Sequence, residues 1–355
     1  MGYSGSTMLA AVYHGPDDLR VEGRPVPTVG PGEALLRVMG ASICGTDLRI
    51  LHGGHRMYPP GTVRVPGHEL TGELVAVGSD VRGLRVGQRV FVAPNIGCGH
   101  CRQCLAGRNN LCPNYDAFGI TLDGGFAEYM LITAPAILQG NVIPIPDSMD
   151  PAVAALIEPF ACVLHGQDAL NIRPGDVVLV IGAGPIGIMH LLLAKLSGAS
   201  KLIVSEMMPD RLEQARRFGA DRAVNPGEQD LRSVVAEESG GEGADVVIVA
   251  APSHRAQEEA VQLAAIRGRI NFFGGLPKDR PAINLDSNVV HYRELIVTGT
   301  TACSTADCRR AAEIIASGRI DLSGLVSARF PLAQAREALA AAEDRSSLKI
   351  VLQPA

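Results

Sequence analysis

Tryptophan is absent from this 355-residue chain, and phenylalanine and tyrosine leave the aromatic share at 4 %. Charge is sparse as well: Asp, Glu, Lys and Arg make up 19 %, the net charge is −5, and both signs are mixed along the sequence. Without a basic excess there is no footprint for nucleic acid or an anionic membrane. Long apolar runs are lacking too. Met8 to Val12 is far too short for a secretory signal. Val177 to Ala194 carries no Asp, Glu, Lys or Arg, but Gly-Ala-Gly-Pro breaks it at its centre, so no membrane helix is expected. A disulfide framework is also missing. Cys44, Cys162, Cys303 and Cys308 are scattered and fit reduced thiols in a cytoplasm. What is there is a soluble globular composition, 46 % apolar with 40 glycines, on a chain long enough to expect two domains. Met1 to Thr7 reads as a short polar extension.

The other four cysteines are concentrated. Cys98, Cys101, Cys104 and Cys112 form C-x2-C-x2-C-x7-C, with Gly97, Gly99 and Gly107 as bends. Two-residue gaps let a tight loop deliver three sulfurs, and the fourth returns on the far limb, as a tetrahedral thiolate cage requires. A zinc closed by four sulfurs has no open position, so it holds a loop and catalyses nothing. The lobe, about 95–114, has only Arg102 and Arg108 as bases, too few to track phosphates.

From Val177 onward, apolar runs of about five residues alternate with amphipathic helices. Strands are expected at Val177–Ile181, Lys201–Ser205, Arg222–Val224, Asp245–Val249, Arg269–Phe273 and Leu295–Thr298. Helices are expected at Pro185–Ser197, Pro209–Phe218, about 229–237, and Arg255–Ile266. This is the pattern of a doubly wound dinucleotide-binding domain. Its first turn, Gly182-Ala183-Gly184-Pro185-Ile186-Gly187, fits G-x-G-x-x-G between a strand and a helix. Glu206 ends the second strand, where a carboxylate accepts the ribose hydroxyls and repels a 2′-phosphate. Arg211 could instead pair with that phosphate, so the charge argument favours NAD with NADP as the lesser option.

The preceding part is β-rich. Short strand candidates at Leu9–Tyr13, Ala34–Val38, Leu70–Val77 and Arg89–Val92 lie among Gly/Pro turns. Within it stand Cys44-Gly45-Thr46-Asp47 and Gly67-His68-Glu69, and Glu158 follows further on. Cys44, His68 and Glu158 could form a three-ligand zinc site with an open fourth position. Singly, each has a plainer reading: a buried thiol, a His68–Glu69 polar pair, and a helix N-terminal acid.

These motifs, with Gly124-Gly125-Phe126-Ala127-Glu128-Tyr129, the four-cysteine lobe, the Gly182 turn and the Lys349 region, resemble the zinc-containing medium-chain dehydrogenase/reductase superfamily over nearly the whole chain. The resemblance implies an α/β protein. A GroES-like catalytic domain spans 1–160, completed by 300–355, and a Rossmann NAD-binding domain spans 161–299. It implies a catalytic zinc on Cys44, His68 and Glu158, with Glu69 behind it or alternating as a ligand. Asp47 would orient His68, Thr46 would start a proton relay, and Lys349 would reach the cofactor diphosphate. Two zinc ions, NAD, a homodimer or homotetramer, and oxidation of a small secondary alcohol to a ketone complete the expectation.

Glu158 is similar to the sorbitol/polyol and threonine dehydrogenase branches. Two departures widen the substrate range. Arg49 stands where many relatives have the outer relay histidine, leaving His52, His55 or water to carry the proton. Gly299-Thr300-Thr301-Ala302-Cys303 lacks the arginine of sorbitol dehydrogenases. A polyol, cyclitol, sugar alcohol or amino alcohol fits; threonine or a simple alcohol is the alternative, and a non-catalytic NAD- and zinc-binding protein the distant one.

Overall fold

Runs of five β-branched and aliphatic residues, too short for helices, pair side by side in the middle of the chain to make a fully parallel sheet. Its order is Arg222–Val224, Lys201–Ser205, Val177–Ile181, Ala244–Val249, Ala264–Phe272, Ile296–Gly299, which is the doubly wound order with its switch point beside Val177–Ile181. The computed structural model describes residues 6–344 and 346–354. They divide into two compact units: Met1–Ala161 with Cys303–Ala355, and Cys162–Ala302.

In the second unit, Leu179, Ile203, Val247, Val249 and Ile270 are fully or nearly fully buried in the sheet, beneath helices such as His254–Leu263. The apolar run Val177–Ala194 is a strand, a turn and the helix Pro185–Leu196. Among the described residues no helix is long and apolar enough to cross a membrane. One expected boundary is corrected. The helix drawn to Ile266 stops at Leu263, because Ala264 enters a strand and pairs with Ala244. Parallel pairing overrides the helix preference of two alanines.

The first unit is built on a seven-stranded mixed sheet, with the hairpin Thr7–Gly15/Asp18–Pro25 and the small pair Asn95–Ile96/Asp116–Ala117. Its core is the apolar face of that sheet, including Leu35, Leu36, Leu70, Leu74 and Ile132, closed by Phe118 and Phe126. The first five residues of the polar extension read at Met1–Thr7 lie outside the described residues; Thr7 opens a strand. Strand Ala34–Ser42 runs into Ile43-Cys44, strand Glu69–Val77 begins beside His68, and strand Lys349–Gln353 joins the same sheet. Three separate stretches of sequence therefore end at one place.

Candidate metal and cofactor sites

Cys44 caps the helix Gly45–Leu51, and that helix carries Asp47 on its buried side. The Asp47 carboxylate accepts from Cys44 N at 2.8 Å and from Gly67 N at 3.3 Å, and stands 3.5 Å from His68 Nδ1. One buried acid thus fixes both segments and leaves the other ring nitrogen of His68 for a ligand. Gly67 has φ +94, and a Cβ there would meet the Phe126 ring at 2.4 Å. No other residue allows the chain to pass and present His68.

The donor atoms of Cys44, His68 and Glu69 all lie within 4.8 Å of one another. Burial opposes a charge on His68, but Asp47 and Cys44 outweigh it and raise its pKa well above the usual value. Soft thiolate, imidazole and carboxylate in an electronegative pocket form a donor set that fits zinc. Thr46 is half-buried two residues after Cys44. Arg49 is exposed. His52 has both ring nitrogens engaged, by Asp17 at 2.7 Å and Glu343 at 2.5 Å. His55 accepts from Met57 N at 3.3 Å.

Two expected residues sit differently. Glu158, buried on the first turn of the helix Ile157–Asp168, is not the carboxylate grouped with Cys44 and His68. Its Oε1 lies 3.9 Å from the Cys303 thiol, which also contacts the Cys308 sulfur at 3.5 Å. The ammonium of Lys349, expected at the cofactor diphosphate, is engaged by protein groups. It is 4 % exposed and donates to Glu69 Oε2 at 2.5 Å and to Ile43 O at 2.9 Å. Burial would discharge this lysine, but Glu69, Cys44 and Glu158 together raise its pKa. Cys303 had no sequence signal as a neighbour of Glu158, since the two are 145 residues apart.

In the lobe, the sulfurs of Cys98, Cys101, Cys104 and Cys112 lie within 4.8 Å of one another. Zinc–sulfur bonds of about 2.3 Å place tetrahedral sulfurs roughly 3.8 Å apart. Cys101 and Cys112 are separated by 3.8 Å. The backbone N–H of His100, followed by lesser donors, lowers the Cys98 thiol to about 6, whereas desolvation raises Cys104 to about 11. A cation among the four would let all of them ionise. Asn95 donates to Cys303 O at 3.0 Å, and Asn109 accepts from Thr305 N at 3.0 Å, so the lobe buttresses the segment that faces Glu158.

In the parallel-sheet unit, Gly182 and Gly184 bring the turn to the N-terminus of Pro185–Leu196, with Ile186 in its first turn. At Gly187 a Cβ would lie 1.8 Å from Gly182 O, so the helix packs against its own turn only with glycine there. Glu206 accepts from Ala183 N at 2.9 Å, Met207 N at 2.7 Å and Met208 N at 3.1 Å. Its carboxylate is pinned at the mouth of the glycine turn. The guanidinium of Arg211 lies 3.7 Å from where a Gly184 Cβ would stand, beside the same turn. Free N–H groups at a helix start, with this acid adjacent, fit a dinucleotide's diphosphate and ribose.

Comparison with known proteins agrees with this geometry. The sequence profile described as "Alcohol dehydrogenase GroES-like domain" matches residues 30–147. That described as "Zinc-binding dehydrogenase" matches 185–317. The chain is 35 % identical over 349 residues to L-threonine 3-dehydrogenase of Chelativorans sp. (strain BNC1), covering 97 % of this chain and 98 % of that protein. It is 33 % identical over 351 residues to sorbitol dehydrogenase of Bacillus subtilis (strain 168), covering 98 % and 97 %. Among solved structures it is similar to a protein of Sinorhizobium meliloti 1021 described as a zinc-binding dehydrogenase and bound to NADP. The TM-score is 0.91 at 34 % identity, covering 98 % of this chain and 100 % of that one.

Proposed function

The chain belongs to the zinc-containing alcohol dehydrogenases of the medium-chain dehydrogenase/reductase superfamily, and we propose that it oxidises a small secondary alcohol to a ketone with NAD as hydride acceptor. The observation that carries the reading is the buried convergence of Cys44, His68 and Glu69 around Asp47, with Glu158 buried separately on the helix Ile157–Asp168. Such a donor set with a position left for substrate suits chemistry, whereas a binding protein has no use for it. Zinc there would supply Lewis acidity toward the substrate hydroxyl, and nicotinamide would accept the hydride.

The chain's own residues would do the rest. Cys44 and His68 hold the metal, and Glu158 supplies the third donor. Asp47 keeps the His68 ring oriented and in one tautomer. Thr46 takes the hydroxyl proton outward. With His52 clamped between two acids, water rather than that histidine carries the proton on. A second zinc in the cysteine lobe would brace the segment behind Glu158 without entering the reaction.

For the cofactor, Gly182, Gly184, Pro185, Ile186 and Gly187 would take the diphosphate, and Glu206 the ribose hydroxyls. A pinned carboxylate repels a 2′-phosphate, which favours NAD; Arg211 and the NADP-bound relative are the counterweight. All eight cysteines are free of disulfides, which suits a reducing cytoplasm. A homo-oligomer is proposed from the family alone. The substrate class is a polyol, cyclitol, sugar alcohol or amino alcohol. Names of relatives support both a polyol and L-threonine.

An NAD reduction screen across polyols, cyclitols, amino alcohols and simple alcohols tests the reading. Metal-dependent turnover of at least one class is expected. No turnover by a zinc-loaded preparation that binds NAD would leave the non-catalytic alternative standing.

A further inference from the structure

The Glu69 carboxylate lies within 4.8 Å of the donor atoms of Cys44 and His68, yet it is already engaged. One oxygen accepts from Lys349 Nζ at 2.5 Å, and both side chains are almost wholly buried, at 1 % and 4 % exposure. Among the described residues no other hydrogen-bond partner of the Glu69 side chain is found. The lysine is anchored in turn by Ile43 O at 2.9 Å, the residue directly before Cys44. Its position is therefore set by the same backbone that presents the thiol.

Burying an ammonium with a carboxylate is costly, and such pairs add little net stability over apolar packing. Two further anions, Cys44 and Glu158, act on this lysine. With a divalent ion bound, Cys44, Glu158 and Glu69 would share that ion and one ammonium, and Lys349 is the cation that holds Glu69. Remove the ammonium and Glu69 becomes a buried, unpaired carboxylate whose one remaining cation is the metal. Its donor atom lies within 4.8 Å of those of Cys44 and His68, so it can reach the same ion. Cys44, His68, Glu158 and Glu69 would then make four protein ligands, and a closed four-ligand site is a structural one.

We infer that Lys349 is a positioning residue that competes with the metal for Glu69 and thereby keeps one coordination position open. This rests on the zinc reading of the Cys44–His68 site.

The test measures zinc release from the holoenzyme to a colorimetric chelator, which separates a rapidly released equivalent at the open site from a slow one in the cysteine cage. Lys349→Met is expected to slow the rapid phase by about tenfold or more, the scale on which changing a partner of a metal-site carboxylate alters metal affinity, and to lose turnover. Lys349→Arg, which keeps the charge, should retain the rapid phase. The double variant Glu69→Gln/Lys349→Met should recover it, because the competitor for the open position is gone. Release from Lys349→Met at the native rate overturns the inference, as does slow release that persists in the double variant. If Lys349→Met does not fold, Glu69→Gln alone decides. Unchanged release supports the inference, and markedly faster release makes Glu69 a ligand in the native enzyme and overturns it. A native protein with no rapidly released zinc at all contradicts the zinc reading itself.

Discussion

The cysteine lobe takes all four sulfurs from one loop, Cys98–Cys112, and its glycines let that loop close on itself. The Cys44–His68 pocket draws on a helix cap, the start of a strand and a lysine 280 residues from its partner. The same kinds of donor are assembled locally in one place and by the whole fold in the other. Local assembly suits a brace, because the metal itself supplies the order. Assembly from distant strands suits chemistry, because each donor is held by packing before anything binds.

Paired cysteine variants break this comparison most sharply. Cys44→Ser should reduce kcat by several orders of magnitude while the far-UV spectrum and melting temperature stay near native. Cys101→Ser should do the reverse, lowering stability by several kcal/mol and cutting soluble yield, with surviving folded protein keeping its chemistry. If both variants unfold alike, or both merely lose activity, the division between brace and site is wrong.

Gly187→Ala comes next. A Cβ at 1.8 Å from Gly182 O forces the turn off its helix. An overpacking cost of about 1–3 kcal/mol and loss of detectable NAD binding by calorimetry are expected. Native affinity in this variant would mean that the turn does not bind the cofactor.

The carboxylate of Glu206 sharpens the contrast within the second unit. NAD should exceed NADP in kcat/KM by at least about tenfold, roughly 1.4 kcal/mol. Equal use would assign the ribose end to Arg211 instead.

The smallest effect belongs to the surface. Hydrogen bonds donated by its ring to Asp17, then to Glu343, raise the pKa of His52. Because the folded value is the higher one, the clamp stabilises fully below the unfolded pKa of about 6.5 and fades as pH rises through the folded value. At this exposed site solvent screening limits it to about 0.5 kcal/mol. His52→Ala should therefore lower the melting temperature slightly in mild acid and not at all at high pH; a larger loss at high pH contradicts the clamp.

The same division between local and distant assembly explains what the sequence revealed. Five-residue apolar strands such as Val177–Ile181 and Lys201–Ser205 were legible because burial on both faces demands an unbroken run. The glycine turn and the clustering of Cys98 to Cys112 are matters of spacing, and spacing is written in the chain. Ala264–Ala265 was misread as helix because its strand exists only through pairing with residues near Ala244. Lys349 was expected, from the family resemblance, to reach the cofactor diphosphate. Its burial against Glu69 depends on two strands that meet only after folding. The proximity of Cys303 to Glu158 likewise had no local signature. The donors of the pocket could be named one by one, but not that Glu69 rather than Glu158 groups with Cys44 and His68.

Zinc stoichiometry of Glu158→Ala tests the central claim most directly, because it asks whether that acid completes the distant-residue site. Elemental analysis should give about two zinc ions per native chain and about one in the variant, with most dehydrogenase activity lost and the far-UV spectrum unchanged. A variant that keeps both ions and full activity would contradict the account and move the third donor to Glu69.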